Sequence, residues 1–300
     1  MTHYDVIIVG GGPAGLSAAL ILGRCRRRVL LCDAERPRNA TSQSLNGFLT
    51  RDSIPPMELR RIARDQLQKY DTVEFCHAEA ADAARVGSGF AVTMHDGAHL
   101  TCRKLLLATG VVDHIPQVEG IAELYGRSVF HCPYCDGWEL RDQPIGIYGR
   151  GEHGKGLALE LTAWSKDLVL LTDGDVELDG KDVDRRHRNQ ILVRTEKIVA
   201  LEGADGILHC IQFESGEALE RRAIFLSCGE SQASDLPARL GCKFTSKGAV
   251  DTGTYETTSV PGLYVAGDAG RYVQLSIVAA AEGAEAAFAI NTALLKEDVL

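Results

Sequence analysis

The feature that most limits how this chain can fold is a strand–glycine–helix pattern that occurs twice at one spacing. The first copy reads YDVIIVGGGPAGLSAALILGR. A β-rich apolar run covers residues 4–9, then come Gly10, Gly12 and Gly15, with Pro13 and Ala14 between the last two, and then helical spacing. The second reads PIGIYGRGEHGKGLALELTAWS and carries Gly149, Gly151 and Gly154. Such glycines let the backbone turn tightly and approach a pyrophosphate, which then sits at the positive N-terminus of the helix. Each copy is followed by an apolar strand ending in an acid, RVLLCD at Asp33 and DLVLLTD at Asp173. The glycine-to-acid spacings are 33 − 10 = 23 and 173 − 149 = 24 residues. An acid about 20 residues after the glycines is placed to bond a ribose hydroxyl. Two matches in register predict an internal repeat of two Rossmann-like units, each able to hold a dinucleotide.

The two units are nested. Between them KLLLATGVV forms a strand ending at Ala108, Thr109 and Gly110. After the second comes GLYVAGDAG, another strand–glycine element around Gly267 and Asp268, followed by an alanine-rich helix. The first unit is therefore expected to be interrupted by the second and completed by the C-terminal segment. Residues 1–113 and 246–300 make one domain and residues 118–242 an insert, with hinges near Pro116 and Gly248. The fold class is α/β, two Rossmann-like dinucleotide-binding domains with the second inserted in the first.

Three hundred residues suffice for two such cores. The net charge of −9 argues against a nucleic-acid partner, since phosphate binding needs a basic surface. Arg24, Arg26, Arg27 and Arg28 form a basic run, but one placed where cations favour a helix C-terminus. The apolar residues at the start run into the glycine motif rather than a cleavage site. No apolar run is expected to span a bilayer, since the alanine-rich stretch carries Glu282 and Glu285. A cytoplasmic protein is the expectation.

Of nine cysteines only two are spaced as CxxC, in VFHCPYCDGWE: Cys132 and Cys135, with Asp136 behind them. In a reducing compartment a lone CxxC is catalytic or metal-binding before it is structural. A metal needs a second pair of ligands; His131 is awkwardly adjacent, and the sequence has no second CxxC, so no metal is expected. A CxxC turn that opens a helix lowers a cysteine pKa and favours the reactive thiolate. Pro133 stiffens the turn, and a protonated Asp136 could supply or accept the accompanying proton. Cys25, Cys32, Cys76, Cys102, Cys210, Cys228 and Cys242 are expected to be small buried or half-buried residues.

With both glycine motifs, the CxxC-Asp and the ATG and GD elements in hand, the chain resembles the low-molecular-weight thioredoxin reductases over essentially its whole length. The resemblance implies FAD in the first unit, NADPH in the second, and a redox-active disulfide at Cys132 and Cys135 with Asp136 handling the proton. It implies that Asp268 bonds the flavin's ribityl chain and that Gln274 lies near the flavin ring. It also implies a homodimer whose domains rotate, and a thioredoxin-like protein or a small dithiol or disulfide as partner. Asn46, Gly47 and Phe48 are placed along the FAD site. Residues 55–67 have the pattern of an ordinary surface helix, and Trp138 is either a flavin neighbour or core.

One departure matters. NADPH-using members place a basic cluster after the strand that ends here at Asp173, to hold the 2′-phosphate. This chain reads Thr172-Asp173-Gly174-Asp175, without a cation. The basic run at 184–188 comes more than ten residues later and has the pattern of a solvated helix face. Three readings remain: NADH in place of NADPH, a vestigial nicotinamide site with electrons entering from an outside dithiol, or a second FAD. The segment ERPRNATSQSLNGFLTRDSIPPMELRRIARDQL is similar to the dithiol oxidases of the superfamily, although those often carry His where this chain has Asp136. The rivals are an ordinary NAD(P)H-dependent disulfide reductase and, from another class, a flavin-bound redox sensor without turnover.

Overall fold

The structure, a computed structural model, describes residues 3–174 and 189–299; Asp175 and the basic run at 184–188 lie outside them. Two compact units form. Unit 1 comprises Met1–Ala40, Gly47–Val112 and Ser231–Leu300, and unit 2 comprises Thr41–Asn46 and Asp113–Glu230.

Unit 1 is built on a seven-stranded sheet: β1 (His3–Val9), β2 (Val29–Cys32), β3 (Val73–Cys76), β4 (Ala80–Val86), β5 (Gly89–Met94), β6 (His99–Leu107) and β17 (Leu263–Val265). The order is β3-β2-β1-β6-β5-β4. The β1, β2, β3, β6 and β17 pairings are parallel, and the β4–β5–β6 pairings are antiparallel. The parallel strands are covered on both faces, which is why VIIV and VLLC are continuously apolar rather than alternating. The length of β6 lets it hold two partners on the edge away from β1, β5 against His99–Cys102 and β17 against Leu105–Leu107.

One face of the sheet carries α1 (Pro13–Arg24) and α7 (Ser276–Val299), and α2 (Pro56–Leu67) packs on α1. A Cβ on Gly283 of α7 would lie 2.0 Å from the Ala14 carbonyl oxygen, so the two helices meet backbone to backbone where α1 leaves the glycine loop. Gly283→Ala is therefore expected to cost about 2 kcal/mol and lower Tm by roughly 4–8 °C. An unchanged melting curve would mean that α7 is not seated there. At the far ends of these helices, buried Arg27 bonds Asn291 (2.7 Å) and Asp298 (2.6 Å).

Three expectations are corrected here. By length and composition α7 is long and apolar enough to cross a membrane, although no run was expected to be. Its apolar stripe is buried on α1 and the sheet, and Glu282 is itself buried, accepting from the Gly267 N–H (2.8 Å) and Arg271 Nε (2.9 Å). The chain also re-enters unit 1 at Ser231, not between residues 242 and 246. Leu236 of the short helix α6 (Leu236–Arg239), Cys242 and Val250 pack into the core with Phe90 and Val92, so Gly248 lies inside unit 1. The strands at the two crossings, β7 (Val111–Asp113) and β16 (Glu230–Gln232), pair with each other. Cys25 is exposed, where a buried or half-buried residue was expected.

Unit 2 holds a parallel sheet in the order β11-β10-β9-β15-β8, from β8 (Val129–Phe130), β9 (Ile145–Tyr148), β10 (Leu168–Leu171), β11 (Leu192–Arg194) and β15 (Ala223–Leu226). Helix α5 (Gly151–Leu161) covers β9 and β10, burying Ala158 and Leu161. An antiparallel sheet of β12 (Ile198–Ala204), β13 (Ile207–Phe213) and β14 (Ala218–Glu220) packs on the other side with α3 (Ile121–Leu124), burying Ile198, Leu201, Ile211 and Phe213. The six residues Thr41–Asn46 also belong to this unit; a Cβ on Gly126 would lie 2.5 Å from Thr41 Oγ1.

Candidate active site

Strand β8 delivers the chain to the CxxC turn, which opens the single-turn helix α4 (Pro133–Asp136). Cys132 is the N-cap in extended conformation, and its carbonyl accepts from the Cys135 N–H (3.1 Å) and the Asp136 N–H (3.2 Å). Cys132 and Cys135 form a disulfide with Cα atoms 5.3 Å apart. Gly137 lets Trp164 close under the turn, since a Cβ there would come within 2.9 Å of the indole. Trp164 in turn meets Tyr134 edge to face at 5.6 Å. Trp138 is neither core nor buried; it is 65% exposed and stacks on the Arg141 guanidinium at 4.3 Å.

Burial, with Glu139 adding repulsion, pushes the Asp136 carboxyl up to about 7. The group directly behind the disulfide is thus poised to hold or release a proton near neutral pH. His131, just before the turn, has Nδ1 2.9 Å from the Tyr125 hydroxyl, which also donates to Asp113 (3.0 Å). Asn46 reaches this turn: its Nδ2 donates to the Cys135 carbonyl at 2.8 Å, and its Oδ1 is buried with no partner among the described residues. A backbone carbonyl can only accept, so the chemistry fixes which way this amide faces.

The first glycine loop has the shape the motif requires. Gly10 (φ +117°) passes so near β6 that a Cβ would lie 2.1 Å from the Ala108 carbonyl oxygen, and one on Gly15 would lie 1.9 Å from that of Gly10. Gly12 faces open space, with no protein atom within 4 Å of its Cβ position, and no side chain caps the helix it opens. Pro13 occupies the first turn, where an N–H would otherwise point outward. An open cradle at an uncapped helix N-terminus fits the pyrophosphate of FAD. Thr109 adds a buried hydroxyl with no partner among the described residues, followed by Gly110 in a left-handed conformation (φ +70°).

Asp33 reaches this loop in a way the sequence did not suggest. Its Oδ2 lies 2.1 Å from where a Gly11 Cβ would be, and it accepts from Arg60 (2.6 Å) and Arg64 (2.5 Å). Its Oδ1 accepts from the Glu35 N–H (2.9 Å). Burial alone would raise this carboxyl, but the Glu35 N–H and the two guanidinium groups outweigh it and hold the pKa below the usual value. Arg60 and Arg64 come from α2, the segment with the pattern of an ordinary surface helix. Beyond β17, Gly267 is left-handed (φ +80°), and Asp268 and Gln274 both accept from Arg38, at 3.0 and 2.5 Å.

The second glycine loop repeats the arrangement. A Cβ on Gly149 would lie 2.5 Å from Ser227 Cβ, one on Gly154 would lie 2.5 Å from the Gly149 carbonyl oxygen, and Gly151 (φ +57°) faces open space. A cavity of about 380 Å³ opens here, lined by Tyr148, Gly149, Arg150, His153, Ser227 and Cys228 among others. Residues 172–174 bring no cation of their own, but Arg150, from inside the glycine loop, folds across the strand end. Its Nε donates to the Thr172 carbonyl (2.7 Å), and its Nη2 donates to the Asp173 carbonyl oxygen and lies 2.9 Å from Asp173 Oδ2. Tyr148 Oη donates to the same Oδ2 (3.1 Å) and the Ile198 N–H to Oδ1 (2.8 Å). Asp173 is thereby bonded on both oxygens within the protein.

The pyridine nucleotide-disulphide oxidoreductase family model matches residues 4–283. The thioredoxin reductase tcpT of Claviceps purpurea is 33% identical over 89% of this chain and 86% of its own. Among solved structures, that of HlmI superposes with a TM-score of 0.95 at 35% identity, covering 100% of this chain and 96% of the other. That of an oxidoreductase from Agrobacterium tumefaciens has a TM-score of 0.91 at 32% identity, covering 99% of each. This chain belongs to the pyridine nucleotide-disulphide oxidoreductase family and is an FAD-dependent oxidoreductase of the thioredoxin reductase type.

Proposed function

We propose that Cys132 and Cys135 exchange an electron pair with FAD held at the first glycine loop, and that the pair enters from an outside dithiol rather than from NADPH. FAD, when bound, would supply the two-electron acceptor, with dioxygen as the terminal oxidant. Gly10, Gly12 and Gly15 leave room for its pyrophosphate, and Thr109, Gly110, Gly267, Asp268 and Gln274 line the rest of the site. Asp33 orders the loop through Arg60 and Arg64. Asn46 holds the redox turn through the Cys135 carbonyl and keeps its Oδ1 available to the cofactor.

In the dithiol step a substrate thiolate attacks one sulfur of the Cys132–Cys135 bond and releases the other as a thiolate. The second substrate thiol then attacks the mixed disulfide, so the substrate leaves as a disulfide and the pair is left reduced. Two thiol protons are released from the substrate. Asp136 is placed to carry one of them to or from the departing sulfur. The partner is a thioredoxin-like protein or a small dithiol. We read the protein as a cytoplasmic homodimer, the exposed Tyr255, Phe288 and Leu295 around α7 being apolar surface that a second copy would cover.

The observation that carries the electron route is the state of Asp173. A 2′-phosphate needs uncommitted cations, and among the described residues the basic side chains at this strand end are already paired: Arg150 with Asp173, Arg194 with Glu196 and Glu217, and Lys197 with Glu214. The cavity beside Gly149 favours a second reading, in which it holds NADH or NADPH and the chain is an NAD(P)H-dependent disulfide reductase; a second FAD there would instead go with a route that needs no nicotinamide.

An anaerobic titration with NADH, then NADPH, then a dithiol, following flavin absorbance, separates the two. Bleaching by the dithiol alone is the expected result. Rapid bleaching by either nicotinamide would overturn the proposed route, and a count of flavins per chain tests the second-FAD reading.

A further inference from the structure

The loop between Asp33 and Asn46 carries a side chain that the electron route leaves unused. Arg38 is largely buried, its side chain 15% exposed, and it reaches Asp268, which is 22% exposed. Its Nη1 lies 3.0 Å from Asp268 Oδ2 and 2.5 Å from Gln274 Oε1. The Gln274 amide is turned by this contact, with Nε2 directed at the Arg271 carbonyl (3.4 Å). Asp268 stands beside the first glycine loop, since a Cβ on the preceding Gly267 would come within 3.1 Å of Ala14 Cβ. One guanidinium thus binds both side chains expected at the flavin end of the site.

We propose that Arg38 sets the electron affinity of the bound flavin by balancing the Asp268 carboxylate. The inference rests on the reading that FAD occupies this loop with Gln274 towards its ring. Two-electron reduction leaves negative charge on the flavin ring system, and charge close to that ring is one of the levers a protein has on it. Asp268, expected at the ribityl chain, puts a negative charge near the ring that opposes its reduction, the more strongly because the site is largely closed to solvent. Arg38 neutralises that carboxylate at hydrogen-bond distance and adds its own field. It therefore favours the flow of electrons from thiols to flavin, the direction proposed above. Arg38 is a positioning and charge-balancing residue and touches neither sulfur of the redox pair.

The test uses the full-length holoprotein in a Cys135→Ser background, so that only the flavin takes up an electron pair. The ratio of reduced to oxidised FAD is read anaerobically against a reference dye of known potential. Arg38→Gln is expected to lower that ratio about tenfold at a fixed ambient potential, equivalent to about 30 mV for a two-electron couple. Arg38→Lys keeps the charge and is expected to stay within about threefold of the parent, on the reasoning that charge rather than fork geometry matters here. An unshifted ratio in Arg38→Gln, an equal fall in both variants, or loss of FAD from both would overturn the inference, the last two by assigning Arg38 a packing role. A chain with Arg38 intact that takes up no FAD would instead sink the flavin reading itself.

Discussion

Cys135→Ser is expected to abolish dithiol and disulfide turnover, by roughly a thousandfold or more, while FAD stays bound. The loss is large because the change removes a bond-forming atom. Without the second sulfur no intramolecular disulfide can form, so the electron pair has nowhere to rest between substrate and flavin. The cradle at Gly10, Gly12 and Gly15 belongs to unit 1 and the CxxC turn to unit 2, so the cofactor content should not change. Steady-state turnover with dithiothreitol or a thioredoxin-like dithiol, together with the visible spectrum of the purified variant, checks both halves. Turnover surviving at more than a few per cent would remove Cys132 and Cys135 from the chemistry, and loss of FAD would tie the turn to cofactor retention.

Asp136→Asn carries the second large effect, and it moves activity and stability in opposite directions. Turnover is expected to fall about a hundredfold, the scale of a lost general acid–base group, and the limb of the pH profile near 7 should vanish. The stability argument follows from proton counts. The native carboxyl, raised by burial to about 7, binds its proton more tightly than the unfolded one at 3.8. Stability is therefore lost as pH rises through that window, and above pH 7 the full cost of a buried charge is present. That cost is on the order of 2 kcal/mol. Asparagine has no charge to bury, so the variant should melt with the parent near pH 4 and above it at pH 8. Equal Tm values at both pH values, or an unaltered pH–rate profile, would show that Asp136 is an ordinary solvated carboxylate.

Much of the architecture was legible because it is local. Glycine at 10, 12, 15, 149, 151 and 154 follows a fixed spacing inside its own strand–turn–helix unit, although Gly10 and Gly149 also meet Ala108 and Ser227 at the ends of distant strands. The apolar runs of β1, β2 and β10 mark strands buried on both faces, and the CxxC-Asp turn is complete within five residues. What stayed hidden depends on distant approach. Arg60 and Arg64 lie on α2, whose amphipathic spacing says nothing of where its cations point. Only the fold brings them to Asp33. Arg38 and Asn46 sit in an irregular loop without periodicity, so nothing in the sequence distinguishes the guanidinium on Asp268 or the amide on Cys135. Arg150 was overlooked for the opposite reason: it occupies a variable position inside a motif defined by its glycines. The return crossing was misplaced because Leu236 and Cys242 join the unit 1 core cluster alongside β4 and β5, more than 140 residues earlier, as 236 − 94 = 142 shows.

The meeting of Gly283 with Ala14 also bears on how the chain comes off the ribosome. The two residues are separated by 283 − 14 = 269 positions. At translation rates of about 5–20 residues per second, α1 waits roughly 13–54 s for the helix that covers it. During that time the whole of unit 2 has been made and its own parallel sheet can close, whereas the unit 1 sheet still lacks β17. Maturation is therefore ordered from the inside of the gene outward: the insert is finished first, and the cofactor cradle, although encoded first, closes last. A chaperone that shields the bare face of α1 and β1 would act on the nascent chain, and FAD supplied early would find no completed site to enter.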